Sequence, residues 1–193
     1  MPYTNAGTQR SYVMPVLAIV AAVLQVALAP QISILGGRFN FMLAFAVAVA
    51  LRGDATQAVY AGFFSGLFYD LTATVPIGLM ALITTVCSFA LASVGGAGTS
   101  GFSPTSIRLA GVGIFAACIV NAVALVLLGA EGSILFSLGH GVVTAILTSI
   151  ASIPFLMASG SPSALGGGGF SARGGRSGSR FKTVPRTRRR SLH

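Results

Sequence analysis

Of 193 residues, 54% are hydrophobic, 8% are charged and none is Trp. A soluble domain carries about 25% charged residues, so most of this surface is made to face something other than water, which excludes an ordinary water-soluble enzyme or binding module. The net charge of +9 is confined to one place: eight basic residues, Arg173 to Arg190, crowd the last 34 positions with no acid among them, while residues 1–159 set Arg10, Arg38, Arg52 and Arg108 against Asp54, Asp70 and Glu131.

A membrane-spanning helix needs about 20 apolar residues, with a range of about 17–25. The first apolar run, Val13–Val26 followed by Ala27-Leu28-Ala29, imitates a secretory signal with a small-residue cleavage site. Pro30 just after that site, and the apolar runs that follow, argue instead for an uncleaved first helix over residues 12–29. The next stretch, 39–51, is too short to cross alone unless residues 31–40 add a partly buried approach. Further helices are predicted over 56–71, 75–94, 107–129 and 134–158. Gly95-Gly96-Ala97-Gly98-Thr99-Ser100-Gly101 and Pro104 read as a flexible loop between the fourth and fifth. The expected fold is all-α: a polytopic membrane bundle of about six transmembrane helices over residues 1–159.

Six spans with a cytoplasmic N-terminus put Arg10, Arg52, Arg108 and the chain's end inside and leave only Arg38 outside, the distribution the positive-inside rule prefers. From Gly160 the periodicity stops. Residues 160–193 are Gly-, Ser- and Arg-rich and cannot bury enough apolar surface to offset the entropy of ordering, so a disordered cytoplasmic tail is expected. Its Arg186, Arg188, Arg189 and Arg190 suit anionic lipid or a protein partner, at about 1 kcal/mol per basic residue near a membrane surface. Arg-Gly-Ser segments also bind nucleic acid, but a tail tethered to a membrane meets lipid first, and no nucleic acid is expected.

Asp70 is the most informative residue. Gly62, Gly66 and Asp70 are spaced i, i+4, i+8 and share one helix face. Two glycines four apart let another helix approach closely, and an acid at mid-membrane costs about 2.5–3.5 kcal/mol on insertion scales, so Asp70 needs a partner or a wet pocket. Two readings stay open: a packing, assembly or substrate determinant, or an interface residue that snorkels and helps cap the next helix at Thr72 or Thr74. Gln25, Asn121 and His140 are the other polar residues inside apolar runs. The first two read as interhelical hydrogen bonders worth about 0.6 kcal/mol each, and His140 as a structural residue, with a functional role as the alternative. Arg38, after Gly36-Gly37, is expected in an outer loop reaching lipid headgroups. Cys87 and Cys118 read as buried, inert thiols. No helix is expected to carry a polar stripe of the kind a water-filled pore requires.

Enzyme templates fail. The chain has no Ser/His/Asp arrangement, paired carboxylates, phosphate loop or metal-ligand cluster, so no catalysis, metal or cofactor is expected. Residues 1–159 resemble the MreD family of bacterial rod-shape-determining membrane proteins. The resemblance rests on Leu24-Gln25 and Pro30 in the first helix, Gly37-Arg38-Phe39-Asn40 before a short second span, Gly62…Gly66-Leu67…Asp70-Leu71, and Pro76-Ile77-Gly78 opening the fourth. It implies a six-helix fold similar to the substrate-binding subunits of energy-coupling-factor transporters. It also implies a multi-pass protein of the bacterial inner membrane, in the peptidoglycan elongation machinery that maintains rod cell shape. Its partners there would be an MreC-like membrane protein and, in the wider complex, RodA and a penicillin-binding protein. The Arg-rich tail departs from that family's usual short C-terminus. The alternative expectation is a small-molecule, vitamin-type uptake subunit or a small secondary transporter, with Ala18 and Ala22 on the first helix suited to docking and the short second span marking a binding site.

Overall fold

Length and composition decide which helix sits in the middle. The computed structural model describes residues 6–73, 76–95, 103–130 and 132–159, with side chains from residue 13 onward. It contains α1 (Ala6–Ala27), a two-stranded hairpin β1 (Ser33–Ile34) and β2 (Gly37–Arg38), α2 (Phe41–Ala50), α3 (Ala55–Thr72), α4 (Leu79–Gly95), α5 (Pro104–Leu127) and α6 (Ile134–Ser159). A helix that is apolar all round has to be surrounded. Helix α2 is such a helix, FMLAFAVAVA, and every one of its residues is buried. All five other helices pack against it.

The bundle exposes apolar surface as well as burying an apolar core. Large apolar side chains are exposed on every outer helix, among them Ile19 on α1, Phe64 on α3, Val86 on α4, Val112 on α5 and Ile150 on α6. The interior also holds Ser65, Asp70, Thr84, Ser88, Thr148 and Ser152 among its aliphatic residues. Helices α5 and α6, at 24 and 26 residues, have the length and apolarity to cross a membrane. At 1.5 Å per residue they reach about 36 and 39 Å, more than the ~30 Å hydrocarbon core. The apolar parts of α1 and α4 are shorter, and α2 spans only about 15 Å.

Chain direction alternates. The ends of α3 and α5 and the starts of α4 and α6 meet beside the hairpin around one cavity. The turn carrying Arg52 and the start of α5 with Arg108 therefore lie toward the opposite end, with the close of α6 at Ser159.

Several boundaries differ from the sequence expectation, each for a local reason. Helix α4 begins at Leu79 rather than residue 75, because Pro76–Gly78 forms a turn in which Gly78 takes φ +97°. Helix α5 begins at Pro104 rather than 107. Ser103 caps it by accepting from the Ser106 N–H, and Pro104 occupies the first turn, where its missing N–H costs nothing. Helix α1 starts at Ala6 and carries Pro15 within it. The approach over residues 31–40 is the hairpin, joined by Leu35 (φ +49°) and Gly36 (φ +80°), the two left-handed residues of a type I′ turn. Residues 96–102, Thr74, Glu131 and the tail from Gly160, with Arg186, Arg188, Arg189 and Arg190, lie outside the described residues.

Candidate functional site

Helices α3 and α4 are held together by the residues that sequence reasoning singled out. Gly62 and Gly66 are buried on the face of α3 that meets α4. A Cβ on Gly62 would come within 2.7 Å of the Thr84 carbonyl oxygen, and one on Gly66 would overlap the Thr84 hydroxyl and the backbone of Met80 and Ala81. The Thr84 hydroxyl uses that closeness, lying 2.7 Å from the Gly62 carbonyl and 2.6 Å from that of Met80. One turn further along α3, Asp70 is 1% exposed. Its carboxylate accepts from the N–H groups of Gly78 (2.8 Å), Met80 (3.2 Å) and Ala81 (3.1 Å). These are unpaired donors at the start of α4, where the helix dipole also favours a negative charge. Asp70 is thus a cap supplied across a turn. Of the readings open for this face, packing and capping of the next helix are the ones seen, with α4 of the same chain lying against it.

At the same end, the hairpin is laid along α6. Gly36 and Gly37 have no Cβ, and one on either would run into His140 or into Val143 and the Thr144 backbone. The Arg38 N–H donates to the Thr144 hydroxyl (3.2 Å) and the Asn40 N–H to that of Thr148 (3.1 Å). The match is metric: two extended residues rise about 6.6 Å and four helical residues about 6.0 Å. Gln25 of α1 accepts from the Phe41 N–H (2.9 Å) and Asn40 accepts from the Leu43 N–H (2.9 Å), so α2 receives two caps at its first turn. The expectation that no helix carries a polar stripe also needs correction. Ser137, His140, Thr144, Thr148 and Ser152 follow one face of α6, and that face turns inward. It is a bonding stripe, because Ser137 donates to the Ala122 carbonyl and Ser152 to that of Ser149, while Thr144 and Thr148 accept from the hairpin segment.

Between hairpin, α3, α4, α5 and α6 lies a cavity of about 150 Å³. Its polar wall is Arg38, Asn40, Tyr69, Asn121, His140 and Thr144; Met80, Cys118, Ala122 and Leu125 close the apolar side. His140 is held edge-on against Phe136 (centroids 4.0 Å apart). The Asn40 Oδ1 is committed to its cap, and Nδ2 has no hydrogen-bond partner among the described residues. A buried donor left in that state costs about 1–3 kcal/mol. Of the residues expected to be polar contacts, Asn121 and His140 therefore share this wall, Gln25 is spent on α2, and Arg38 faces the cavity from β2 instead of standing in a free loop. Sequence reasoning assigned Asn40, Tyr69 and Thr144 to no polar site. The helical spacing of Ser137, His140, Thr144 and Thr148 is the signal that was there to be read. Among the described residues, no group of three His, Cys, Asp or Glu side chains could hold a metal ion.

A second concavity is apolar and lateral. A groove of about 610 Å³ runs between α1, α2 and α3, with Ala18, Ala22, Ala61 and Ser65 as its small wall residues and Ile19, Phe45 and Phe64 among its large ones. It exists because α1 leans on α2 and scarcely touches α3. Compared with known proteins, the chain matches no protein-family model, no curated protein and no solved structure.

Proposed function

We propose that this chain is a non-enzymatic, multi-pass subunit of a bacterial cell membrane that holds a partner membrane protein by receiving one of its helices. In this reading the chain crosses the bilayer six times, with α2 and the hairpin together filling one crossing, and both termini are cytoplasmic. The observation that carries it is the groove between α1 and α3. Apolar exposed surface alone would suit lipid, but a concavity walled by Ala18, Ala22, Ala61 and Ser65 lets a second backbone come close, which is how helices associate where lipid removes the hydrophobic drive. The resemblance to the MreD family supplies the setting: the elongation machinery for peptidoglycan, with an MreC-like protein as the partner and RodA and a penicillin-binding protein nearby. The test fills the groove from its open wall. Ala18→Phe is expected to leave the protein in the membrane at normal level, abolish co-purification of the partner and round the cells. Normal co-purification and rod shape in that variant overturn the reading, and recovery of a tightly held lipid in its place assigns the groove to lipid.

A second reading, a small-molecule uptake subunit, draws on a different observation: the partly polar cavity under the hairpin. Small-molecule sites are concave and mostly apolar with a few convergent polar groups, and this one has both walls. Uptake of a solute that depends on the protein, with cell shape unaffected by its loss, would favour this reading over the first.

A further inference from the structure

We infer that the cavity beneath the hairpin is a binding site for a small carboxylate with a short apolar body. This inference deepens the uptake reading by naming the ligand class, while the site itself stands on the cavity's walls. The first argument is charge. Arg38 brings a guanidinium with five donors, and among the described residues no carboxylate lines the cavity. The acids among the described residues are spent elsewhere: Asp70 accepts from three N–H groups of α4, and Asp54 caps α3 through the Thr56 and Gln57 N–H groups.

The second argument is the rest of the polar wall. Asn40 lines the cavity but is 1% exposed; its carbonyl oxygen is fixed by the Leu43 N–H, and its NH₂ group, buried behind the wall, has no partner among the described residues. The guanidinium in the same wall is matched by a carboxylate oxygen, and charge-assisted bonds of this kind are the strong ones. Asn121, His140 and the Tyr69 hydroxyl stand around the same space. The third argument is size and polarity. A cavity of about 150 Å³ is the size that encloses a benzene molecule, which allows a ligand of about six heavy atoms. Met80, Cys118, Ala122 and Leu125 face the polar wall, so a carboxylate at one end and two or three carbons at the other meet complementary surfaces. Inorganic phosphate would leave that apolar side unmatched.

The experiment is titration calorimetry on the full chain in detergent or nanodiscs, with butanoate, butanamide and inorganic phosphate as probes. Butanoate is expected to bind and butanamide to bind at least tenfold more weakly. Arg38→Gln, at an exposed hairpin position whose fold contact is made by the backbone, is expected to keep the thermal midpoint of the unliganded protein and weaken butanoate about tenfold or more. His140→Gln gives an independent check from the α6 side, with a smaller loss expected. Equal binding of butanamide, binding of phosphate alone, unchanged affinity in Arg38→Gln, or no binding of any probe each overturn the inference. Butanoate that binds and is not taken up by cells upholds the site and removes the uptake reading.

Discussion

Asp70 and Gly66 do opposite things with the same closeness of α3 and α4. The aspartate brings a charge to three waiting donors, and the glycine withholds a methyl so that the backbones can reach that distance. Asp70→Ala strands three buried N–H groups and is expected to cost on the order of 3 kcal/mol, lowering the thermal midpoint and the amount of protein in the membrane. Asp70→Asn keeps an acceptor oxygen and is expected to lose less, about 1 kcal/mol, and to support normal cell growth. A well-expressed Asp70→Asn protein without function would show that the carboxylate does chemistry beyond capping. For the glycines the informative comparison is between positions. Gly66→Ala forces a Cβ into Thr84 and the α4 backbone and is expected to destabilise by about 1–3 kcal/mol. Gly139→Ala, in α6 with nothing within 4 Å of its Cβ, is expected to be neutral or to stabilise by up to about 1 kcal/mol. Thermal melts of the two purified variants decide this, and equal midpoints would refute the packing account.

At the scale of elements, the helices were legible because each carries an apolar stretch bounded by polar, Gly or Pro residues, and their number and order can be read directly. Helix ends were less legible, because they are set by partners distant in sequence. Nothing around Leu79 states that α4 starts there; the reason is a carboxylate on the preceding helix and the left-handed Gly78. The small-residue face of α3 was visible as a face, but a spacing of four names no occupant, and a neighbouring helix in the same chain satisfies it as well as another protein would. The hairpin was invisible for a different reason. Its strands are two residues each, too short for an alternating pattern, and its turn holds Leu35 where Asn or Gly is usual. The cavity residues come from separate elements, so Arg38, Asn121 and His140 were visible one by one and not as a single site.

The whole molecule has two ends of different character. The hairpin end gathers the cavity, the Asp70 cap and Arg38, while Arg52 and Arg108 lie toward the other. If the proposed orientation holds, Leu35, 81% exposed at the hairpin's tip, is outside the cell. A membrane-impermeant maleimide is then expected to label Leu35→Cys in intact cells and to spare the native Cys87 and Cys118, which are half-buried and buried within the bundle. Labelling only after the cells are opened would reverse the orientation. The expected sidedness rests on four arginines and the count of apolar runs, both properties of sequence order and not of contacts.

If the proposed multi-pass reading holds, the buried α2 has a consequence for how the protein is made. An insertion machine sorts segments one at a time by how well each partitions into lipid, and a helix of about 15 Å covers half of the ~30 Å hydrocarbon core. Its ends would leave backbone donors and acceptors in hydrocarbon, which costs several kcal/mol per group. In the finished protein those groups are met by Gln25 of α1 and by Asn40, whose own N–H is tied to α6. The segment therefore cannot settle when it emerges. It has to wait at the membrane surface, or ride in with α3, until α6 arrives to close around it, so the centre of the bundle is finished only when α6 is in place.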